Sequence, residues 1–146
     1  FDPNVEDISI VGKDIYLHNA ISGTLPLFSY GAGLQKAVLL TALLAGNQNG
    51  ILLIDEIDNA INISAFQEIF SWFINACRRF NIQAFVTTHS AEAIDAILEN
   101  CCVETMDDIR IITLRKEANE HKTMAIVRTA KEAIRDRSEF EMELRV

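Results

Sequence analysis

Cysteine, proline and tryptophan are scarce in these 146 residues, with three, two and one respectively. The three cysteines are Cys77, Cys101 and the adjacent Cys102. An odd number with two neighbours suits neither a disulfide framework nor a zinc ligand set. They are expected to be buried or idle thiols in a reducing cytoplasm. Basic charge is thin in the first hundred residues, where Lys13, Lys36, Arg78 and Arg79 face eleven Asp/Glu. Residues 101–146 hold nine Lys/Arg against ten Asp/Glu, and the formal net charge is −8. Phosphate contacts dominate affinity for nucleic acid, so an acidic chain without a basic stripe would meet it only through other regions. The apolar run Leu34–Ala45 is too short to span a bilayer, which argues against a membrane protein. The cysteine usage makes a cytoplasmic location the expectation; no secretory leader is visible, although an opening at Phe1 without Met reads as a piece of something longer. Three motifs are missing as well. There is no Gly-x-Ser-x-Gly elbow, and no histidine pair at i, i+4. The phosphate-gripping loop Gly-x-x-x-x-Gly-Lys-Ser/Thr is absent too: Gly12-Lys13 is followed by Asp14, and position 7 is Asp.

What is present is an ordinary globular balance, 49% apolar and 23% charged, enough for one domain or part of one. Ile8–Val11 and Ile15–His18 flank Gly12-Lys13 and predict a hairpin or a pair of edge strands. Residues 19–26 read as loop, and the turn Leu27–Gly33 opens an apolar helix over Leu34–Ala45. Gly46–Gly50 stops that helix and launches a strand, Gly50–Ile54, apolar at every position. Such a strand is expected to be covered on both faces, as in a parallel sheet. Ser64 is the expected cap of a helix to Arg79, with Phe66, Ile69, Phe70, Phe73, Ile74 and Cys77 on its buried face. That spacing makes Phe66, Phe70 and Phe73 core rather than a base-stacking platform, and leaves Trp72 the most exposed of the aromatics. A strand at Gln83–Thr87 and a Ser90-capped helix at Ala91–Glu99 follow, then a connector over Asn100–Asp108. Strands Ile109–Arg115 and Thr123–Thr129, joined by a polar Lys116–Lys122 turn, and a helix near Ala130–Arg137 complete the pattern.

Chemistry concentrates at two strand ends. Asp55 and Glu56 close the first buried strand, and His89, between Thr87-Thr88 and Ser90, follows the second. One crossover helix between them brings all three to the same end of a parallel sheet, where α/β proteins bind ligands. Neighbouring side chains on a strand point opposite ways, so one carboxylate can reach a metal while the other faces the reacting phosphate. An Asp holding Mg²⁺ and a Glu polarising the attacking water suit hydrolysis of a γ-phosphate. The neutral imidazole of His89 could bond a terminal phosphate oxygen or that water. Ser29, Gly31 and Gly33 supply a hydroxyl and flexible amides at a helix N-terminus, a setting that favours anions. His18 and His121 lie in polar, hairpin-like segments and are expected to be bystanders.

Taken in order, these residues resemble the C-terminal half of an ABC-class ATPase head. The likeness is nearest to AAA-type ATP/GTP phosphatases related to the OLD (overcoming lysogenisation defect) proteins, and more distant to SMC and recombination-protein heads. Ser29-Tyr30-Gly31-Ala32-Gly33-Leu34-Gln35-Lys36 resembles the signature motif, and Ile51–Asp55 the Walker B strand, with Glu56 in the catalytic position. Ile57–Ser64 falls at the D-loop, and Thr87-Thr88-His89-Ser90 resembles the switch-histidine motif. Two positions depart from the pattern: Ala32 stands where a polar or acidic residue is common, and Asn62 where relatives often carry histidine. The resemblance implies an α/β fold, the C-terminal lobe of a P-loop NTPase-like domain over residues 1–146, with parallel strands, crossover helices and peripheral antiparallel hairpins. Its core motifs would lie in 25–98 and peripheral strands and a helix in 101–146, the P-loop half being absent. It further implies a homodimer of heads around ATP or GTP, in which Ser29, Gly31 and Gly33 act in trans on nucleotide held by the partner's Walker A loop. Asp55 would hold Mg²⁺, Glu56 would be the base and His89 the sensor. An N-terminal half would carry the Walker A loop, and the isolated chain would be inactive without it. Two other chemistries fit the same residues: a nucleotide-gated binding module with little turnover, and a metal-dependent phosphoesterase or nuclease using Asp55, Glu56, Asp58 and His89.

Overall fold

The computed structural model describes residues 3–101, 106–116 and 122–140. The chain divides into two compact units, residues 1–53 with 59–85, and residues 54–58 with 86–146.

The first unit opens on an antiparallel sheet of β1 (Val5–Val11), β2 (Asp14–Asn19) and β3 (Gly23–Pro26), in the order β1-β2-β3. The β1–β2 hairpin is the one expected at Gly12-Lys13. The strand β3 corrects the expectation of a loop over 19–26. The Asn19 side chain accepts the N–H groups of Ile21 and Ser22 and so turns the chain tightly back. Gly23 then takes a positive φ, and Leu25 pairs with Leu17. Pro26 is tolerated because it ends an outer strand. His18 is held between two hydroxyls, Ser9 Oγ at 2.7 Å on Nε2 and Thr24 Oγ1 at 2.8 Å on Nδ1, and so ties three strands together.

A 3-10 turn, Leu27–Ser29, leads into α1 (Ala32–Gly46), which begins two residues earlier than its apolar run because Gly31 serves as N-cap. Ala37, Leu40 and Leu44 are its buried stripe. Gly50 is required after it, since a Cβ there would lie 2.9 Å from the Asn47 carbonyl oxygen. Next come β4 (Ile51–Ile54), α2 (Phe66–Arg79) and β5 (Gln83–Val86). α2 contacts α1 and buries Phe66, Ile69, Phe70 and Phe73, with the Phe66 and Phe70 ring centroids 5.1 Å apart. Ile74, Cys77 and Trp72 are half-buried, and Ala76 is buried. Ser64 is not the helix cap. Asn62 accepts the Ser64 N–H and caps a 3-10 turn, Ile63–Ala65, from which α2 continues. A short amide reaches an N–H two residues on with ease, which is why Asn competes with Ser at such ends.

β4 and β5 form a two-stranded parallel sheet. Its hydrogen bonds keep one offset, with Gln83 N–H on the Gly50 carbonyl and Thr87 N–H on the Ile54 carbonyl, each 33 apart (83 − 50 and 87 − 54). Leu52 is buried on one face, whereas Ile51 (62% exposed), Leu53 (75%) and Phe85 (48%) lie open on the other. The expectation that β4 is covered on both faces therefore fails here: among the described residues of this unit the side bearing Ile51 and Leu53 lies open.

In the second unit, α3 (Ala91–Glu99) starts where expected, with Ser90 Oγ accepting the Ala93 N–H at 3.0 Å. An antiparallel hairpin of β6 (Arg110–Lys116) and β7 (Thr123–Thr129) runs into α4 (Ala130–Phe140). Thr129 and Glu132 form a capping box: each side chain accepts the other residue's backbone N–H, at 3.2 and 2.8 Å. Ile94, Leu98, Cys101, Ala130 and Ala133 make this unit's core, joined by Met106, Ile109, Ile111 and Ile134. Arg137 pairs with Asp95 at 2.6 Å across α4 and α3. The expected turn over 116–122, with its His121, and Cys102 in the expected connector fall largely outside the described residues.

Candidate functional site

The site grows from the ends of the parallel strands. Both strands run the same way, so Asp55 and Glu56 after β4 and Thr87, Thr88 and His89 after β5 emerge at one carboxyl edge. All five belong to the second unit. Asp55, Glu56, Thr87 and His89 are exposed there, while Ile57, next along the turn, is buried.

Thr87 binds four consecutive residues of the acidic segment. Its N–H donates to the Ile54 carbonyl and its carbonyl accepts the Ile57 N–H, both at 3.0 Å. Its hydroxyl donates to Asp55 Oδ1 and accepts the Glu56 N–H, the latter at 2.9 Å. A regular strand turns successive N–H groups to opposite sides, so Glu56 and Ile57 could not both reach Thr87 from one. The chain solves this with a left-handed residue: Glu56 has φ +49°. Left-handed backbone costs a side-chain-bearing residue about 1–2 kcal/mol, and such outliers gather at functional sites.

Thr88 repeats the device one step on. Its hydroxyl donates to Asp58 Oδ1 and accepts the Ser90 N–H at 3.0 Å. His89 is thus carried on a short turn closed by Thr88 and Ser90, directly before the N-terminus of α3.

The donor set fits Mg²⁺ of the phosphate-bridging kind. Among the described residues no three His, Cys, Asp or Glu side chains gather as a metal cage. Mg²⁺ keeps several waters and is commonly held by one or two carboxylates plus substrate phosphates, a role within reach of exposed Asp55.

The glycine-bearing turn belongs to the first unit and stands by itself. Ser29 is exposed at the end of the 3-10 turn, Gly31 caps α1, and Gly33 lies in its first turn. Gly31 has φ −60° and ψ 151°, which any residue can adopt. A Cβ on Gly31 would meet nothing within 4 Å, and one on Gly33 only the Ala60 carbonyl at 3.6 Å. Packing among the described residues demands glycine at neither place. Lys36 Nζ donates to the Asn59 carbonyl at 2.8 Å, and Ala60 has φ +66°, so the segment after the acidic turn is pinned to the start of α1.

The sequence pattern singles out the acids and the histidine as candidates but not Thr87 and Thr88, whose hydroxyls bond Asp55 and Asp58. The signal available was the run of two hydroxyls directly before His89.

The mixed α/β arrangement, with a parallel pair and antiparallel hairpins, is that of SMC ATPase head domains, a P-loop NTPase fold. The structural comparisons agree. An SMC ATPase from work on ATP-driven dimerization and DNA-stimulated activation superimposes with a TM-score of 0.63 at 13% identity, covering 97% of this chain and 84% of that one. The Smc head domain of Pyrococcus furiosus, with an extended coiled coil and bound to the C-terminal domain of ScpA, gives 0.52 at 14% identity over 88% of this chain and 29% of that one. Residues 3–95 match the family described as AAA domain, putative AbiEii toxin, type IV TA system, and the chain belongs to it. An ATP/GTP phosphatase of Helicobacter pylori is 33% identical over 103 residues, 66% of this chain. The match spans 28% of that protein's length. An uncharacterized protein of Methanocaldococcus jannaschii is 31% identical over 87 residues, 60% of this chain and 75% of its own length. Among the described residues no helix is long and apolar enough to cross a membrane.

Proposed function

We propose that this chain supplies the Walker B, switch-histidine, D-loop and signature parts of an ATP- or GTP-hydrolysing site. The observation that carries the reading is the Asp55–Glu56 turn at the carboxyl end of β4, held in a left-handed conformation by Thr87. Exposed Asp55 would hold Mg²⁺, which would neutralise charge on the terminal phosphates. The Glu56 carboxylate accepts a proton from the attacking water, and His89 donates to a terminal phosphate oxygen. Gly31 and Gly33 admit close approach of a phosphate to the α1 N-terminus, with Ser29 beside them, and a second copy's nucleotide is the natural occupant.

The sequence holds no Gly-x-x-x-x-Gly-Lys-Ser/Thr loop, so that loop comes from a segment outside these 146 residues. The apolar face of Ile51, Leu53 and Phe85 supports this, because parallel sheets are normally covered on both sides. The SMC ATPases, whose ATP-driven dimerization has been studied, and the Helicobacter ATP/GTP phosphatase supply the analogy for head dimerisation and for the substrate. The order of the motifs along the sequence, by its resemblance to OLD-like phosphatases, supports that class as a functional model.

The test uses the whole protein carrying this chain, with Mg²⁺ and ATP or GTP, and follows mass by light scattering. Wild type should associate transiently, and Glu56→Gln should accumulate as a nucleotide-held dimer. Dimers that form equally in both proteins without any phosphate release would instead make it a nucleotide-gated clamp.

A further inference from the structure

The four bonds of Thr87 carry a consequence for the acid pair. Each polar group of this residue is spent on the segment 54–57: N–H on Ile54, hydroxyl on Asp55 and Glu56, carbonyl on Ile57. A hydroxyl has one proton and two acceptor lone pairs. Here the proton is committed to Asp55 Oδ1 and a lone pair to the Glu56 N–H, so one side chain fixes a carboxylate rotamer and a neighbouring backbone together. Valine has the same shape and neither function, and serine has both functions without the methyl group.

We infer that Thr87 is a positioning residue of the hydrolytic site, whose hydroxyl sets Asp55 for the metal and Glu56 for the water at once. The inference rests on the reading of Asp55 and Glu56 given above. Thr88 does the corresponding work for Asp58 and for the turn bearing His89.

The experiment compares Thr87→Val, Thr87→Ala and Thr87→Ser in the whole protein. Ala and Ser differ by the hydroxyl alone, so the comparison survives if the Val variant fails to fold. The first readout needs neither metal nor nucleotide: hydrogen–deuterium exchange of the peptide spanning residues 51–58. Val and Ala should speed exchange there, and Ser should match wild type. The second is the Mg²⁺ concentration giving half-maximal hydrolysis. It should rise about 10–100-fold in Val and Ala, the usual cost of losing an outer partner of a metal ligand, and return toward wild type in Ser. If wild type hydrolyses nucleotide while Val and Ala match it in both readouts, the positioning role is overturned and the acid-pair reading stands. If wild type does not hydrolyse, the exchange result alone decides whether the hydroxyl orders the turn, and the hydrolytic role assigned to it falls with the parent reading.

Discussion

Replacing Glu56 with glycine should stabilise the protein relative to replacing it with alanine, although both changes remove the carboxylate. The left-handed φ of +49° costs an alanine about 1–2 kcal/mol and costs glycine nothing. Against this, glycine loses more conformational freedom on folding, roughly 0.5–1 kcal/mol. The difference leaves Glu56→Gly ahead by about 0.8 kcal/mol. With a urea dependence of ~2 kcal/mol/M, the unfolding midpoint should lie about 0.4 M higher than for Glu56→Ala. Equilibrium urea denaturation followed by far-UV circular dichroism measures this directly. Neither variant should hydrolyse nucleotide, so stability and activity would part company at one position. A Glu56→Gly midpoint equal to or below that of Glu56→Ala would refute the claim that strain is held in the turn.

Three further outcomes follow from the packing and titration of other groups. Phe70 is fully buried, and Phe70→Ala should cost about 3–5 kcal/mol, read as a fall in urea midpoint. Glu132 has its carboxyl held below the usual value of 4.5, first by the Thr129 backbone N–H and then by the Thr129 hydroxyl. Its ionised form therefore adds stability that is complete above that value and fades as pH falls through the lowered folded one. Glu132→Gln should be less stable than wild type at neutral pH, and the gap should close in acid, as thermal melts across pH would report. Burial pushes the Cys77 thiol up to about 11, so alkylation at pH 8 should be far slower in the folded protein than in urea, as peptide mass spectrometry can follow.

The parts of the fold legible in the sequence are those fixed by local pattern. α3 was readable to the residue because Ser90 is a strong cap before an apolar stripe, and β4 because an unbroken apolar run stops at two acids. β3 was not, since Gly23–Pro26 has the composition of a loop and becomes a strand only by pairing with β2. The capping box at Thr129 and Glu132 is written in the sequence as Thr-x-x-Glu, a pattern made specific only by the helix that follows it. At the site, the acids and histidine show by residue type and order. The grip of Thr87 does not, because it depends on the register of β5 against β4, and a positive φ at glutamate has no sequence signature. The open face of Ile51, Leu53 and Phe85 was hidden for a related reason: an all-apolar strand announces burial without saying which chain segment provides it.

The central claim is that Glu56 accepts the proton of the attacking water. Its most direct measurement is the steady-state rate of Mg²⁺-dependent ATP and GTP hydrolysis by the whole protein, wild type beside Glu56→Gln. A general base of this kind is worth about 10²–10⁴-fold, so the variant should fall by that factor while still binding nucleotide. Equal rates in the two proteins would contradict the assignment, whatever else the site binds.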